Sequence, residues 1–189
     1  MEFYTMDRDR RISHPILPND IKGLFDSNII KEYKAGKRNA NSLSLGSNKT
    51  YEFTDVIFFE PSTTLLHKDF AGCLLVSDKI KSVFAAHKQS IKFKPLVLML
   101  NKGHHVYWLF KIDKAKSTSN VSKFESYIEA PHSSTSSSIS SQKEKIHGVE
   151  IGKQTRIAIS LEVLEEILSI GCLGVTFQKS EYIRSIPHE

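Results

Sequence analysis

Two stretches of the chain share one pattern of apolar and polar positions. Residues 74–84 read LLVSDKIKSVF, and residues 157–167 read IAISLEVLEEI. In each stretch, three small or apolar residues precede a serine, and apolar residues return three and seven positions after it, as on one face of an α-helix. We predict that each stretch is a β-strand that leads directly into a helix. Ser77 and Ser160 would cap these helices, because a serine hydroxyl accepts a free backbone N–H of the first turn.

The two helices differ in detail but bury the same kind of face. In the first helix, Ile80, Val83, Phe84 and His87 are predicted to share one face, and in the second, Val163, Leu164, Ile167 and Ile170 are predicted to form the buried stripe. Gly171 is the predicted C-cap of the second helix. The shared pattern has two explanations. Either both joints use the same local chemistry, since serine often starts a helix, or the chain contains an internal duplication.

Other apolar patterns predict further elements. The predicted strands cover residues 2–6, 53–61, 91–100, 104–113 and 173–177. A helix is predicted over 18–33, where Pro18, Asn19 and Asp20 give a start signal and Ile21, Leu24 and Phe25 recur at helical spacing. Residues 34–51 are polar and are predicted to be a loop. Asn101–Gly103 is predicted to join two strands into a hairpin, with Val106, Trp108 and Phe110 facing one side and Tyr107, Leu109 and Lys111 the other.

A serine-rich segment interrupts this series. Residues 132–145 read HSSTSSSISSQKEK, which cannot bury enough apolar surface to offset the entropy of ordering. We predict a mobile loop over 114–146 within a single domain of residues 1–189. A linker between two domains is the alternative, but few residues follow it for an independent domain. The predicted fold class is α+β, with a few helices packed on a mostly antiparallel sheet.

Composition narrows the function classes. The chain has 189 residues, 40% of them hydrophobic, which is enough to form a core, and its net charge of +5 is modest and scattered. The N-terminus has no apolar stretch of signal-peptide length, and the longest apolar run, PLVLML, is too short to span a bilayer. We therefore expect a soluble, cytoplasmic protein without membrane association. We expect a solvated rim rather than a nucleic-acid surface at the basic residues Arg8, Arg10, Arg11, Lys34, Lys37 and Arg38.

The sequence contains no glycine-rich phosphate loop, no GxSxG, no HExxH and no CxxC. His104 and His105 are adjacent on a predicted strand, so they would point to opposite faces and cannot easily bind one metal. Cys73 and Cys172 lie among apolar residues and are expected to be reduced core residues. We therefore predict a protein that is not an enzyme and that needs no cofactor or metal.

Five segments in order carry a resemblance to known proteins. They are DVIFFEP, LLVSDKIKSVF, a strand with YWLF followed by ID, IAISLEVLEEI and GCLGVTF. The matching positions are Asp55, Pro61, Ser77, Tyr107, Leu109, Asp113, Ser160, Gly174 and Phe177. Residues 53–178 thereby resemble a family of bacterial immunity proteins, encoded beside polymorphic toxins of contact-dependent or type VI secretion systems. The resemblance implies a non-catalytic inhibitor that binds a cognate toxin domain and blocks its active site or the access of its substrate.

For such an inhibitor we expect toxin contacts from exposed residues near turns. The candidates are Lys102, His104, His105, Tyr107, Arg10 and Arg11. With a sequence pI near 9.1, an acidic patch on the partner is the simpler expectation. Three other functions remain open: a non-catalytic adaptor or interaction module, a small enzyme with a site of scattered His, Asp and Cys residues, and a nucleic-acid-binding accessory protein. Homo-oligomer formation also remains open.

Overall fold

The structure of the protein is a computed structural model. It describes residues 2–24, 26–36, 39–46, 50–58, 73–88, 91–100, 103–111, 145–151 and 154–179. The strands in these ranges are β1 (Phe3–Arg8), β2 (Ile21–Lys22), β3 (Asn41–Leu45), β4 (Val56–Phe58), β5 (Cys73–Val76), β6 (Phe93–Leu100), β7 (Gly103–Lys111), β8 (Ile146–Ile151), β9 (Gln154–Ser160) and β10 (Val175–Lys179). The helices are a 3-10 turn (Pro18–Asp20), α1 (Ser27–Lys34), α2 (Asp78–His87) and α3 (Leu161–Ser169).

The described strands form two sheets. A four-stranded sheet has the order β10-β1-β9-β8, and a six-stranded sheet has the order β2-β3-β6-β7-β5-β4. The pairing of β3 with β6 is parallel, and the other strand pairs are antiparallel. The predicted α+β class with mostly antiparallel sheet is therefore confirmed.

Both predicted strand–helix–strand joints are present, and they have the same topology. Helix α2 connects β5 to β6, with β7 between these two strands and antiparallel to both. Helix α3 connects β9 to β10, with β1 in the same intermediate position. The outer strands β4 and β8 also correspond, so the orders β6-β7-β5-β4 and β10-β1-β9-β8 match throughout. The second unit differs in taking its central strand from the N-terminus of the chain.

The two stretches with a shared pattern occupy equivalent places in these units. The equivalent buried pairs are Leu74 and Ile157, Val76 and Ile159, Ile80 and Val163, and Phe84 and Ile167, each residue at most 6% exposed. Each stretch therefore buries the same strand face and the same helix face. The shared sequence pattern therefore corresponds to equivalent places in the fold.

Two clusters of buried side chains hold the fold together. The first draws on both sheets and on helices α2 and α3, so it joins the two units into one core. The second lies on the opposite face of the six-stranded sheet, where Ile29 of α1 packs with Leu43 of β3 and with Leu96 and Leu98 of β6. Strand β7 therefore carries buried residues on both faces, Phe110 in the first cluster and Tyr107 and Leu109 in the second, whereas the buried residues of β6 all lie on the face of the second cluster.

The predicted helix over 18–33 is wrong in its first half. Pro18 starts a 3-10 turn, Ile21 and Lys22 form β2, and α1 begins at Ser27. Gly23 has a φ of +81°, which is outside the helical region. Ile21 pairs with Leu45 and enters the second cluster, so sheet pairing decides its conformation. Phe25 lies outside the described residues.

The predicted loop over 34–51 is also wrong in part, because it contains β3. Its sequence NSLSL alternates, so Leu43 and Leu45 are buried while Ser42 and Ser44 are exposed.

Most of the predicted mobile loop, residues 114–144, lies outside the described part of the chain. Ile146, at the end of the predicted loop, is a buried residue of β8. Asn101 and Lys102 also lie outside it, but the predicted hairpin of β6 and β7 is confirmed.

Candidate functional site

Along β6 and β7, one face of the six-stranded sheet changes from core to surface. Phe110 is fully buried in the first cluster, whereas Met99 is 45% exposed. Between them, Trp108 and Val106 are half-buried. From core to surface, the cross-strand pairs on this face are Phe93–Phe110, Pro95–Trp108, Val97–Val106 and Met99–His104.

The exposed end of this face continues across the neighbouring strands. Met99 pairs with Ser44 of β3, and Ser44 pairs with Lys22 of β2, so Lys22, Ser44, Met99 and His104 form one row of exposed side chains. Directly opposite residues share a face of the sheet, which places these side chains together. We call the surface formed by these rows the sheet patch. It consists of Lys22, Ser42, Ser44, Pro95, Val97, Met99, His104, Val106 and Trp108.

Strand geometry gives the patch its dimensions. Four strands span about 14 Å, and five residues along a strand span about 14 Å, for an area on the order of 200 Å². Its centre is apolar, with Val97, Val106 and Met99, and its rim is polar, with Lys22 and His104 at the two ends of the outer row. An apolar centre within a polar rim is the usual anatomy of a protein–protein interface.

Helix α2 fixes the tryptophan at the inner end of the patch. The indole Nε1–H of Trp108 donates a hydrogen bond to Asp78 Oδ1 at 2.6 Å. The Lys81 ammonium lies 3.9 Å from the centroid of the same ring, within the range of a cation–π contact. Trp108 is therefore held in one orientation although it is only half-buried.

The two adjacent histidines lie on opposite faces, as predicted. His104 pairs with Met99 and belongs to the sheet patch. His105 pairs with Leu98, and its imidazole stacks on Phe53 with ring centroids 3.8 Å apart and an interplanar angle of 15°. The two imidazoles therefore cannot act at one site.

The expectation that Tyr107 is exposed is wrong. It is 3% exposed and its hydroxyl donates a hydrogen bond to the Thr54 carbonyl oxygen at 2.7 Å. Its place on β7 directs the side chain into the second cluster, and this burial raises the pKa of its hydroxyl. Tyr107 is a core residue.

The remaining predicted contacts lie elsewhere or outside the described residues. Arg10 and Arg11 follow β1 of the four-stranded sheet, and Lys102 is outside the described part of the chain. Arg11 binds the Asp9 carboxylate at 2.8 Å, and these hydrogen bonds lower the pKa of Asp9. Of the six predicted residues, His104 is the one that lies in the sheet patch.

A second polar cluster surrounds Asp55, which is 8% exposed. Asp55 Oδ1 accepts a hydrogen bond from Ser77 Oγ at 2.7 Å, and Oδ2 accepts one from the Leu173 backbone N–H at 2.8 Å. Asp55 therefore ties the start of α2 to the loop before β10. Ser77 is at the predicted N-cap position, but its hydroxyl donates to Asp55 and makes no capping bond. Ser160 does cap its helix, accepting from Val163 N–H at 3.5 Å.

Cys172, the residue before Leu173, adds a thiol beside this cluster. Burial raises the pKa of the Cys172 thiol to about 12, which favours the protonated thiol near neutral pH. The side chain of Cys73 lies outside the described part of the chain. Within the described ranges, no group of three or more His, Cys, Asp or Glu side chains is placed to hold a metal ion.

None of the described helices has the length and apolar character needed to cross a membrane.

The sequence signals for the patch were weak. PLVLML at 95–100 reads as buried on both faces, yet Val97 and Met99 point to the patch. The alternation in NSLSL was the one local signal that Ser42 and Ser44 lie on an exposed sheet face.

Comparison with known proteins gives no assignment. No protein-family model matches the chain, and no curated protein is significantly similar to it.

Proposed function

We propose that the protein is an immunity protein, which binds a cognate bacterial toxin domain through the sheet patch and blocks the toxin's active site or substrate access. The observation that carries the binding surface is the apolar, partly exposed face around Trp108 and Met99. The choice of a toxin as partner rests on the resemblance of residues 53–178 to immunity proteins.

The composition of the patch supports a role at the centre of an interface. Tryptophan and methionine are enriched in interfaces, and tryptophan is among the residues that contribute most to binding energy. The patch of about 200 Å² is roughly a quarter of the 800 Å² that each partner contributes to a standard interface. It would therefore supply the central contacts, with surrounding residues excluding water.

The rigidity of the patch also supports tight binding. Its strands are covered on the opposite face by the second cluster, which includes Ile29 of α1, and Trp108 is fixed by Asp78 and Lys81. A side chain that is already ordered loses little entropy on binding, so more of the contact energy appears as affinity. An inhibitor of this kind needs no chemistry of its own, because covering the toxin's site is sufficient.

Co-expression in bacteria tests the proposal. The proposal implies that the toxin is the C-terminal domain of a large secreted protein encoded beside the gene for this chain. The wild-type protein is expected to restore growth. The variant carrying both Met99→Asp and Ser44→Tyr is expected not to, because both changes place an unfavourable group at exposed patch positions. Leu168→Asp is the matched control, since Leu168 is 58% exposed on α3.

Each outcome has a defined meaning when unfolding curves show that all variants are folded. Growth restored by the wild type and the control but not by the patch variant supports the proposal. Failure of the wild type to restore growth contradicts toxin neutralisation. Recovery of a stable non-toxin partner instead would indicate an adaptor. Neutralisation by all three proteins would place the interface outside the sheet patch.

A further inference from the structure

We infer that the part of the toxin that covers the sheet patch is an α-helix with an apolar stripe, which lies along β6 and β7 beside the first turn of α2. The inference rests on the proposed function and names the element that the patch binds. It follows from the backbone pairing of the patch strands and from the position of α2 on the same face of the sheet.

The central strands of the patch leave no edge for an added β-strand. Strand β3 pairs with β2 and β6, β6 pairs with β3 and β7, and β7 pairs with β6 and β5. An extended segment on this face would gain no backbone hydrogen bonds from these strands, yet its own buried backbone groups would need partners. A helix makes most of its backbone hydrogen bonds within one segment, so it can cover the patch without them.

Helix α2 makes the inner end of the patch a corner. Its residues Asp78 and Lys81 contact the ring of Trp108, and Phe84 packs against Phe110 with ring centroids 5.3 Å apart. Helix α2 therefore stands on the patch face of the sheet, where it rises about 10 Å, the diameter of a helix. A flat partner surface would meet α2 before it reached Trp108, whereas a helix fits into the corner and continues the interface between α2 and the sheet.

The size of the patch matches one short helix. The cross-strand pairs from Met99–His104 to Pro95–Trp108 extend about 14 Å along the strands, the length of about nine helical residues. An apolar stripe would meet Met99, Val97 and Trp108 on successive turns. Two copies of this chain that met patch to patch would be held apart by their α2 helices. Each copy would bury about 200 Å², roughly a quarter of what a standard interface needs.

The second unit shows that the fold does not require an apolar surface at this place. Tyr4 in β1 is equivalent to Trp108 in β7, because each pairs with the buried residue directly before the serine that starts the helix. The Tyr4 hydroxyl donates a hydrogen bond to Glu2 at 3.1 Å, and Glu2 binds the Lys179 ammonium at 2.6 Å. A polar network therefore occupies the equivalent place, and the apolar surface of the first unit suits an apolar occupant.

Photo-crosslinking to the toxin domain, inactivated by substitution, tests the inference. The photoreactive residue p-benzoylphenylalanine replaces His104 or Ser42, which are exposed on the two flanks of the patch. Mass spectrometry then identifies the toxin residues that it joins. We expect these residues in one continuous segment, three or four positions apart, as on one face of a helix. Lys31 is the matched control position and should give no crosslinks, because it is exposed on α1, which lies on the opposite face of the sheet.

The outcomes separate this inference from the proposed function. Crosslinked residues two positions apart would mean an extended segment, and crosslinks to several distant segments would mean a flat surface. Either result would overturn the helix and leave the patch as the interface. Crosslinks between two copies of this chain would mean a dimer and would overturn the helix as well. Toxin binding without crosslinks from either position would place the interface elsewhere, and a folded wild-type protein that does not bind the toxin overturns both proposals.

Discussion

Gly174 lies where the loop after α3 approaches Thr54 most closely. Its φ is +82°, and a Cβ atom at this position would lie 2.4 Å from the Cβ and Cγ2 atoms of Thr54. Thr54 cannot move easily, because its hydroxyl donates to the Val56 carbonyl and its own carbonyl accepts from Tyr107. Glycine is therefore required here for both backbone conformation and space.

Gly174→Ala should destabilise the protein far more than Gly171→Ala. Both glycines have positive φ, but a Cβ on Gly171 would meet no atom within 4 Å. We expect a loss of about 1 kcal/mol at Gly171 from backbone strain, and about 3 kcal/mol at Gly174 because overpacking is added. Urea unfolding measures both values. Equal losses would show that Thr54 moves aside without cost.

Asp55 is a hydrogen-bond acceptor for two segments, and its charge is not needed for that. In Asp55→Asn, the remaining oxygen can accept from Leu173 N–H while the amide donates to the Ser77 hydroxyl, which can reverse its role. Asp55→Ala leaves the Leu173 N–H without this partner. We expect a loss of about 2 kcal/mol for alanine and under about 1 kcal/mol for asparagine. Similar losses in urea unfolding would contradict this assignment.

The local sequence pattern predicted the positions of Ser77, Ser160 and Tyr107 in their elements, but not all of their contacts. The positions of Ser77 and Ser160 before their helices follow from sequence, because capping depends on neighbours a few residues away. That Ser77 donates to Asp55 could not be predicted, since the partner comes from another strand. Tyr107 was predicted on the correct strand and face, but its burial depends on segments far along the chain.

At the scale of elements, the strongly apolar segments were predictable and the short polar ones were not. Strand β6 and helices α2 and α3 have patterns long enough to identify their type, and the four residues of β5 form a continuous apolar run. Strand β3 has five residues, and its parallel pairing with β6 comes from tertiary contacts. Pro18 does begin a helical turn, as its start signal indicates, but the turn is a 3-10 turn and not the predicted α-helix. The first residues of a 3-10 turn resemble those of an α-helix.

Lys94 shows how a buried charge joins two elements. It is 1% exposed on β6, and its ammonium binds Glu32 of α1 at 3.1 Å and the Asn39 carbonyl oxygen at 3.0 Å. The alternating sequence around Lys94 suits a half-exposed strand, so neither this burial nor the partner could be predicted. The contact anchors α1 to the face opposite the sheet patch.

Removing Glu32 should cost more stability than removing Lys94. Glu32→Ala leaves a buried ammonium without its carboxylate, whereas Lys94→Met leaves a carboxylate whose side chain is 31% exposed. We expect the loss for Glu32→Ala to exceed that for Lys94→Met by about 2 kcal/mol. A double-mutant cycle by urea unfolding measures the difference, and the reverse order would contradict the assignment.

At the scale of the whole molecule, the two equivalent units share one core. Side chains from both sheets and from α2 and α3 meet in the first cluster, and His87 of α2 contacts Glu166 of α3 at 2.6 Å. The repeated pattern in the sequence indicated two similar joints, but not that β1 completes the second unit. The sheet patch could not be predicted from the sequence either. Its outer row combines residues from four different strands, namely Lys22, Ser44, Met99 and His104.

A shared core predicts that the units unfold together. Ile167→Ala in α3, at a position that is 0% exposed, should cost about 2–5 kcal/mol. Hydrogen exchange should then show the same loss of protection for central amides of β1 and β7. Leu168→Ala on the exposed side of α3 is the control and should change neither. Unchanged protection in β7 after Ile167→Ala would mean that the units unfold independently.

The most direct test is calorimetric binding of this protein to the inactivated toxin domain that the proposed function expects in the neighbouring gene. We expect one-site binding in the nanomolar range for the wild type and a loss of at least about 100-fold in the variant carrying Met99→Asp and Ser44→Tyr. Absence of binding between two folded proteins would contradict toxin neutralisation, and equal affinity of the variant would contradict the sheet patch as its surface.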